Sequence, residues 1–240
     1  MPSANKLLKK ARIFAGPNGS GKTTLFQELS RMHVFSPLPF INADLIESRL
    51  RSHGFINVLD ITPELAKINL AAFLTPALKV FEKEKTVKVA DGVIACKRND
   101  LDSYVAAGIA EGLRKALEAK GLSFCAETVM SHESKIAWLH SLKKHRYKIY
   151  LYFVATDNPQ INTERVRLRV EKGGHMVPAD KIIARFRRSL ELLRPALQIA
   201  DQAYLFDNTN SDLTLCASID RGSLRFHTAS LPLWLADILE

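Results

Sequence analysis

Residues 13–25 read Ile-Phe-Ala-Gly-Pro-Asn-Gly-Ser-Gly-Lys-Thr-Thr-Leu and contain the pattern Gly-x-x-x-x-Gly-Lys-Thr from Gly16 to Thr23. The pattern follows an apolar run typical of a strand and opens a run typical of a helix. Successive backbone N–H groups of such a loop turn inward and hold phosphate oxygens, and glycine leaves room for that approach. The N-terminal end of the helix adds a partial positive charge. The stretch therefore predicts a loop that binds a nucleoside triphosphate.

The residues of this loop have separate predicted roles. Lys22 is expected to reach the β- and γ-phosphates of ATP, and the hydroxyl of Thr23 is expected to ligate Mg²⁺. The residues expected to bind the nucleotide are Gly16, Pro17, Asn18, Gly19, Ser20, Gly21, Lys22, Thr23 and Thr24. The alternative is a glycine-rich turn without a ligand, which the strand before the pattern and the helix after it disfavour.

The composition indicates a globular protein with a packed core. Of the 240 residues, 47% are hydrophobic and 25% are charged. No apolar run reaches the roughly 18–20 residues of a membrane span. A cleaved signal peptide is not expected, because cleavage at the first apolar stretch would destroy the loop. The three cysteines are widely spaced and lack metal-ligand clustering. We therefore expect a cytoplasmic protein without a membrane segment.

The net charge is +9, from 34 basic and 25 acidic residues. A basic chain of this kind suits an anionic partner, which could be a small nucleotide, a nucleic acid or a membrane surface. The sign of the charge does not choose among these partners.

Apolar runs alternate with helical patterns along most of the chain. This alternation favours an α/β fold with a mostly parallel sheet and helices on both faces, the three-layer sandwich of P-loop nucleoside triphosphatases. Five strands are expected in the sheet, at residues 11–16, 40–41, 122–126, 148–155 and 203–206. Further short strands are expected near residues 213–219 and 224–228. We expect one P-loop kinase domain over residues 1–240.

Two segments are expected to elaborate this domain. Residues 53–100 form a long insertion, which contains a hairpin around Asp91-Gly92. The insertion could cap an acceptor pocket or decorate the surface. Residues 160–194 are expected to form two helices on either side of Gly173-Gly174-His175, and this pair is the predicted lid, whose closure would expel water.

Two carboxylates are expected at the edge of the sheet that bears the loop, because ligands bind at the carboxyl ends of parallel strands. Asp44 could accept the proton of an attacking hydroxyl, or it could cap a helix. Glu127 could hold Mg²⁺ through water or, together with Thr128, bind the hydroxyls of an acceptor; its alternative is also a cap. No Asp-Glu pair follows the strand before Glu127, which disfavours a hydrolytic Walker B motif.

The predicted lid carries paired arginines. Arg165 and Arg169 are four residues apart and share one helical face, and Arg185 and Arg188 are three apart on the second helix. Phosphoryl transfer needs cations around the migrating group, and the planar guanidinium suits this role. We expect Arg165, Arg169 and Arg185 to take part in catalysis. His175 could contact the substrate, or it could be an ordinary loop residue.

Together these features resemble the zeta-toxin family of P-loop kinases, and one motif is similar to its chromosomal branch, which is described as a predicted ABC-type ATPase. The resembling stretches are Gly-Pro-Asn-Gly-Ser-Gly-Lys-Thr-Thr (16–24), Ile-Asn-Ala-Asp (41–44), Ala-Glu-Thr (126–128), Glu-Arg-Val-x-x-Arg-Val (164–170), Gly-Gly-His-x-Val-Pro (173–178), Arg185 with Arg188-Ser189, and Asp207-Asn208. The resemblance implies a kinase that uses ATP and Mg²⁺. The best-understood members transfer the γ-phosphate of ATP to the 3′-hydroxyl of UDP-N-acetylglucosamine.

The resemblance also implies roles for individual residues. Asp44 matches the proton-accepting aspartate of the family, Lys22 the lysine of the phosphate loop and Glu127 the acid that contacts the substrate. Arg165 or Arg169 matches an arginine of the lid. An antitoxin protein becomes a candidate partner. The sequence departs from the family pattern in two places: no glycine separates Glu127 from Thr128, and residues 53–100 are longer than usual.

Other functions are compatible with the same loop. A kinase of a nucleic-acid end or of a dinucleotide would suit the basic charge. An ATP-dependent switch or ATPase of the transport class is disfavoured, because the chain has no Leu-Ser-Gly-Gly-Gln-like signature. A nucleotide-binding regulator without turnover is the third alternative. A small nucleotide-type acceptor is the interpretation that we favour.

Overall fold

The structure of the chain is a computed structural model, and it describes residues 8–171, 176–210 and 212–239. The chain divides into two compact units. The first consists of Met1–Pro37 and Glu127–Glu240, and the second of Leu38–Ala126. The insertion expected over residues 53–100 lies within the second unit. The prediction of one domain over residues 1–240 stays a prediction.

The strands and helices follow the expected alternation. The strands are β1 (Lys10–Ala15), β2 (Phe40–Ile41), β3 (Phe55–Asn57), β4 (Val87–Ala90), β5 (Val93–Cys96), β6 (Phe124–Thr128), β7 (Lys148–Ala155), β8 (Gln202–Asp207), β9 (Thr214–Asp220) and β10 (Ser223–Phe226). The α-helices are α1 (Lys22–Arg31), α2 (Ala43–His53), α3 (Ala71–Lys79), α4 (Ser103–Ala119), α5 (Ser134–Lys144), α6 (Pro159–Glu171), α7 (Ala179–Glu191), α8 (Leu193–Ile199) and α9 (Leu233–Leu239).

The main sheet has the strand order β10-β9-β8-β7-β1-β6-β2. Strand β7 pairs in parallel with β1 and with β8, and β2 pairs in parallel with β6. Strand β9 runs antiparallel to β8, and β10 antiparallel to β9. The mostly parallel sheet predicted from the sequence is therefore confirmed. It has seven strands because the two short C-terminal strands, which were predicted separately, extend it as a hairpin.

Burial of the central strands follows from their apolar sequences. Strand β1 is buried from its second residue to its end, and β7 is buried over its last five residues. Strands that are covered on both faces read as near-continuous apolar runs, as these do. Their carboxyl ends lead directly into loops, and the loop that follows β1 is the predicted phosphate loop. The loop therefore starts from a buried strand of the first unit's core.

The second unit contains a small antiparallel sheet in the order β3-β5-β4. Its β4–β5 hairpin turns at Asp91 and Gly92, both with positive φ, and this is the hairpin predicted from the sequence. Helices α3 and α4 pack closely, because Gly108 and Gly112 of α4 have no side chains to hold the helices apart. A Cβ atom on Gly112 would lie 2.9 Å from the Cα atom of Leu74. The core of this unit depends on that close contact.

None of the helices formed by the described residues combines the length and the apolar composition that a membrane span requires.

Candidate nucleotide-binding site

The phosphate loop connects β1 to α1, and α1 begins at Lys22. The residue before the helix, Gly21, has a φ of 101° and provides no side-chain cap for the first turn. Within the described parts of the chain, two buried side-chain atoms of the loop have no hydrogen-bond partner: Oδ1 of Asn18 and Oγ of Ser20. Buried polar atoms are normally paired. The two unpaired buried oxygens and the first turn without a side-chain cap are polar groups that a polar ligand could satisfy.

Two glycines of the loop lie against the backbone of β7 and of α6 and leave no room for a side chain. Gly16 has a φ of 135°, and a Cβ atom there would lie 2.0 Å from the carbonyl oxygen of Val154. Gly19 has a φ of 75°, and its Cβ atom would lie 2.5 Å from the carbonyl oxygen of Asn162. From the sequence, these glycines are expected to leave room for the approach of phosphate. The structure adds that the loop packs so tightly on β7 and α6 that no side chain fits between them.

Lys22, Thr23 and Glu127 lie together in the first unit. The Lys22 side chain is buried, and its Nζ donates a hydrogen bond to the carbonyl oxygen of Pro17 at 2.7 Å. The same Nζ lies 3.8 Å from Oε1 of Glu127. The Thr23 hydroxyl donates to Oε2 of Glu127 at 2.7 Å. One carboxylate, at the end of β6, thus contacts both the cation and the hydroxyl of the phosphate loop.

This geometry bears on how Mg²⁺ could be held. A threonine hydroxyl beside a carboxylate is an oxygen donor pair of the kind that Mg²⁺ prefers. Among the described residues, no group of three or more His, Cys, Asp or Glu side chains could hold a metal ion. Mg²⁺ commonly binds through one or two protein oxygens together with phosphates of the substrate. The pair formed by Thr23 and Glu127 fits that mode of binding.

Thr128, the other residue predicted to bind the acceptor, is engaged locally. Its side chain is buried, and its Oγ1 accepts a hydrogen bond from the backbone N–H of Met130 at 3.1 Å. The hydroxyl therefore helps to shape the turn after β6. Contact of Glu127 or Thr128 with an acceptor stays a prediction.

Two asparagines that the sequence analysis did not single out as site residues contact the loop. The amide Nδ2 of Asn162, in α6, donates to the carbonyl oxygen of Asn18 at 2.6 Å. The amide Nδ2 of Asn208, directly after β8, donates to the carbonyl oxygen of Ser20 at 2.7 Å. Only Asn208 carried a sequence signal, as part of the Asp207-Asn208 stretch that resembles zeta toxins.

The predicted catalytic arginines have different surroundings. Arg165 donates through Nη1 to the carbonyl oxygen of Asn208 at 2.7 Å and through Nη2 to that of Asn210 at 2.9 Å. Arg169, in α6, and Arg185, in α7, are both half-buried. Arg165 is thus bound to the segment after β8. The catalytic roles of these arginines stay predictions, and His175 with Gly173-Gly174 lies outside the described residues.

Asp44 belongs to the second unit, at the second position of α2, and its side chain is exposed. The N-cap of α2 is Asn42, whose side chain accepts a hydrogen bond from the backbone N–H of Leu45. The cap that the sequence analysis considered for Asp44 is therefore provided by Asn42. A carboxylate in the first turn is still favoured by the helix dipole. The proposed role of Asp44 as a base stays a prediction.

The second unit also contains a pocket of about 250 Å³, whose lining includes Leu45, Arg49, Ile56 and Asp60. A helix turns by about 100° per residue, so Leu45 and Arg49 leave α2 at directions well away from that of Asp44. The pocket is therefore on a different side of α2 from the predicted base.

Comparison with known proteins shows that the fold of this chain is similar to that of several solved structures. No family model and no curated protein matches the sequence. The crystal structure of AvrRxo1-ORF1:AvrRxo1-ORF2 with sulphate ions matches at 14% identity, covering 93% of this chain and 62% of that chain, with a TM-score of 0.55. The structure of AvrRxo1-ORF1:-ORF2 with ATP matches at 13% identity, covering 92% of this chain and 61% of that chain, with a TM-score of 0.56.

A third similar structure is that of the PezAT chromosomal toxin–antitoxin system of the human pathogen Streptococcus pneumoniae, at 15% identity and a TM-score of 0.49, covering 88% of this chain and 71% of that chain. This chain spans about three fifths of the length of the AvrRxo1-ORF1:-ORF2 chains that it matches. Likeness at such low identity shows the fold alone. The AvrRxo1-ORF1:-ORF2 structures thus support the predicted α/β fold.

Proposed function

We propose that this chain is a P-loop kinase that transfers the γ-phosphate of ATP to a hydroxyl of a small nucleotide-type acceptor. One observation carries the proposal: the lysine and the threonine of a glycine-rich loop converge on the carboxylate of Glu127, with Nζ to Oε1 at 3.8 Å and Oγ1 to Oε2 at 2.7 Å. This arrangement supplies the cation and the metal ligands that phosphoryl transfer needs.

The loop side binds and orients ATP. Lys22 would exchange the carbonyl of Pro17 for oxygens of the β- and γ-phosphates, and the N–H groups at the start of α1 would add their partial positive charge. Thr23 and Glu127 would hold Mg²⁺, Thr23 directly and Glu127 through water. When bound, the ion would neutralise charge that develops on the phosphates. The likeness to a structure solved with ATP supports the choice of nucleotide.

The acceptor side supplies a base and further cations. Asp44 would accept the proton of the attacking hydroxyl, as a positioned carboxylate can. Arg165 would have to release the carbonyls of Asn208 and Asn210 to reach a phosphate. We therefore assign Arg169 and Arg185 to the migrating phosphoryl group, where charge spreads over the equatorial oxygens. The helices α6 and α7 would exclude water.

UDP-N-acetylglucosamine is the specific acceptor that the resemblance to zeta toxins suggests. An antitoxin is the proposed protein partner, and the similar AvrRxo1-ORF1:-ORF2 structure supports a protein partner because it is named as a complex. The cytoplasm, which contains both ATP and UDP-sugars, is the proposed compartment.

The proposal is tested by incubating the purified chain with Mg²⁺ and γ-labelled ATP in the presence of UDP-sugars, dinucleotides or oligonucleotides. We expect label in a UDP-sugar or a related small nucleotide, and much slower transfer by a Lys22→Ala variant. Label in oligonucleotides would favour the nucleic-acid kinase. Release of labelled phosphate to water alone would favour the ATPase, and binding of ATP without movement of label would favour the regulator.

A further inference from the structure

The first half of α6 is hydrogen-bonded to the phosphate loop through the buried side chain of Asn162. Asn162 has no exposed surface, and its Oδ1 accepts a hydrogen bond from the Thr156 hydroxyl. Its Nδ2 donates to the carbonyl oxygen of Asn18 at 2.6 Å. The direction of the amide is determined by these partners, because the carbonyl oxygen of Asn18 can only accept. Asn162 is therefore held in one orientation between the end of β7 and the loop.

A second fastening comes from the segment after β8. The Nδ2 of Asn208 donates to the carbonyl oxygen of Ser20 at 2.7 Å. The backbone carbonyl of Asn208 in turn accepts from Nη1 of Arg165, and that of Asn210 accepts from Nη2. Arg165 lies on α6, one turn after Asn162. The same helix thus holds the loop twice, directly through Asn162 and indirectly through Arg165 and Asn208.

The two asparagines bind the carbonyl oxygens of Asn18 and Ser20, which are two residues apart in the loop. The peptide bonds of the loop are trans. In a planar trans peptide, the carbonyl of one residue and the N–H of the next point in opposite directions. A carbonyl of Asn18 held towards Asn162 therefore turns the N–H of Gly19 away from Asn162. The carbonyl of Ser20 held towards Asn208 turns the N–H of Gly21 away in the same manner.

We propose that Asn162 and Asn208 are positioning residues, which orient the N–H groups of Gly19 and Gly21 towards the phosphates of the bound nucleotide. Arg165 acts in the same arrangement through Asn208. This inference rests on the proposed binding of ATP and adds to it the residues that keep the loop in its binding shape. Preorganised backbone donors need no rearrangement when the charge arrives, which strengthens their contribution.

The test compares the affinities of the full chain for ATP and for AMP, using fluorescent analogues in the presence of Mg²⁺. The variants are Asn162→Ala and Asn208→Ala. The matched control is Asn158→Ala, because Asn158 also lies at the start of α6, where its Oδ1 accepts from the N–H of Gln160 without contacting the loop. Thermal unfolding of each variant separates a loss of folding from a loss of binding.

We expect Asn162→Ala and Asn208→Ala each to lower the affinity for ATP by roughly three- to tenfold relative to Asn158→Ala. This is the effect of losing one hydrogen bond. The affinity for AMP should change less, because the β- and γ-phosphates carry the added contacts. We also expect weaker protection of the Gly19 and Gly21 amides from hydrogen exchange when ATP is bound. Equal losses for ATP and AMP, or losses no larger than in the control, would overturn the inference.

The two proposals fail in different ways. A wild-type chain that does not bind ATP would overturn the proposed function before any variant is compared. A wild-type chain that binds ATP, together with asparagine variants that bind it equally well, would overturn this inference alone. Asn208 is only half-buried, so its variant keeps the test valid if Asn162→Ala does not fold.

Discussion

The phosphate loop in the first unit and the start of α2 in the second differ in how strongly their polar groups are held. In the loop, Lys22 and Thr23 have named partners within 4 Å, and two of its carbonyls are bound by asparagines. At α2, the cap is provided by Asn42, and Asp44 is exposed. The comparison teaches that the loop is held in shape by hydrogen bonds from residues distant in sequence, whereas the start of α2 is capped by its own neighbour Asn42.

The largest effect is expected at Asp44. Replacing Asp44 with Asn removes the proposed proton acceptor and should lower the rate of transfer by about 10²- to 10⁴-fold. ATP affinity should be retained, because the phosphates are proposed to bind to the loop and to Lys22 rather than to Asp44. The measurements are the transfer rate with labelled ATP and the binding of a fluorescent ATP analogue. Asp100→Asn, at another exposed aspartate of the second unit, is the control, and full transfer by Asp44→Asn would remove Asp44 from the mechanism.

The second largest loss of transfer is expected at Lys22, which belongs to the phosphate loop. Lys22→Ala should lower transfer by about 10²- to 10³-fold, the cost of one preorganised group that stabilises the transition state. Unlike Asp44→Asn, it should also weaken ATP binding. Titration with the fluorescent analogue checks this, and Lys144→Ala, at an exposed lysine of α5, is the control. Unaltered ATP binding by Lys22→Ala would mean that the loop does not hold the triphosphate.

A smaller effect is expected at Glu127. Glu127→Gln keeps the shape of the side chain and removes its charge, so the Mg²⁺ concentration for half-maximal transfer should rise by about 10- to 100-fold, as for outer ligands in other metal sites. The rate at saturating Mg²⁺ should recover. Glu133→Gln, at an exposed glutamate of the first unit, should leave the Mg²⁺ dependence unchanged. An altered affinity for the acceptor with no change in the Mg²⁺ dependence would instead support the role in substrate binding.

The smallest effect concerns the stability of the second unit. Gly112→Ala would place a Cβ atom 2.9 Å from the backbone of Leu74 and should lower the free energy of unfolding by about 1–3 kcal/mol through overpacking. Gly108→Ala should cost less, because its closest contact is the flexible end of Leu78. Thermal and urea unfolding provide the measurement. Stabilisation by Gly112→Ala would show that the gain in helix propensity outweighs the contact.

Much of the fold was predictable because it depends on neighbours in sequence. Alternating apolar runs placed the five strands of the parallel sheet, and the pair Asp91-Gly92 placed the hairpin. The division into two units was not predicted. It depends on which elements pack together, and no local pattern reports that.

The candidate site was predictable in part for the same reason. The positions of Gly16 to Thr24 follow from one continuous motif, so the loop was found at once. The partner of Thr23 lies 104 residues away, and the asparagines that bind the loop lie 144 and 188 residues from the carbonyls they hold. Such pairs arise from the order of strands in the sheet. The sequence does not distinguish an asparagine whose side chain is exposed to solvent from one whose side chain is hydrogen-bonded to a loop.

By itself, the sequence determined the glycine-rich loop and the parallel sheet, and it predicted a nucleotide as the ligand, because hydrogen-bonding patterns and apolar periodicity act over a few residues. Tertiary structure alone decided that the loop glycines fit against Val154 and Asn162, that Glu127 faces Lys22 and Thr23, and that Arg165 binds backbone carbonyls. Those outcomes depend on atoms that only the packing of β1, β6, β7 and α6 brings within a few ångströms of each other.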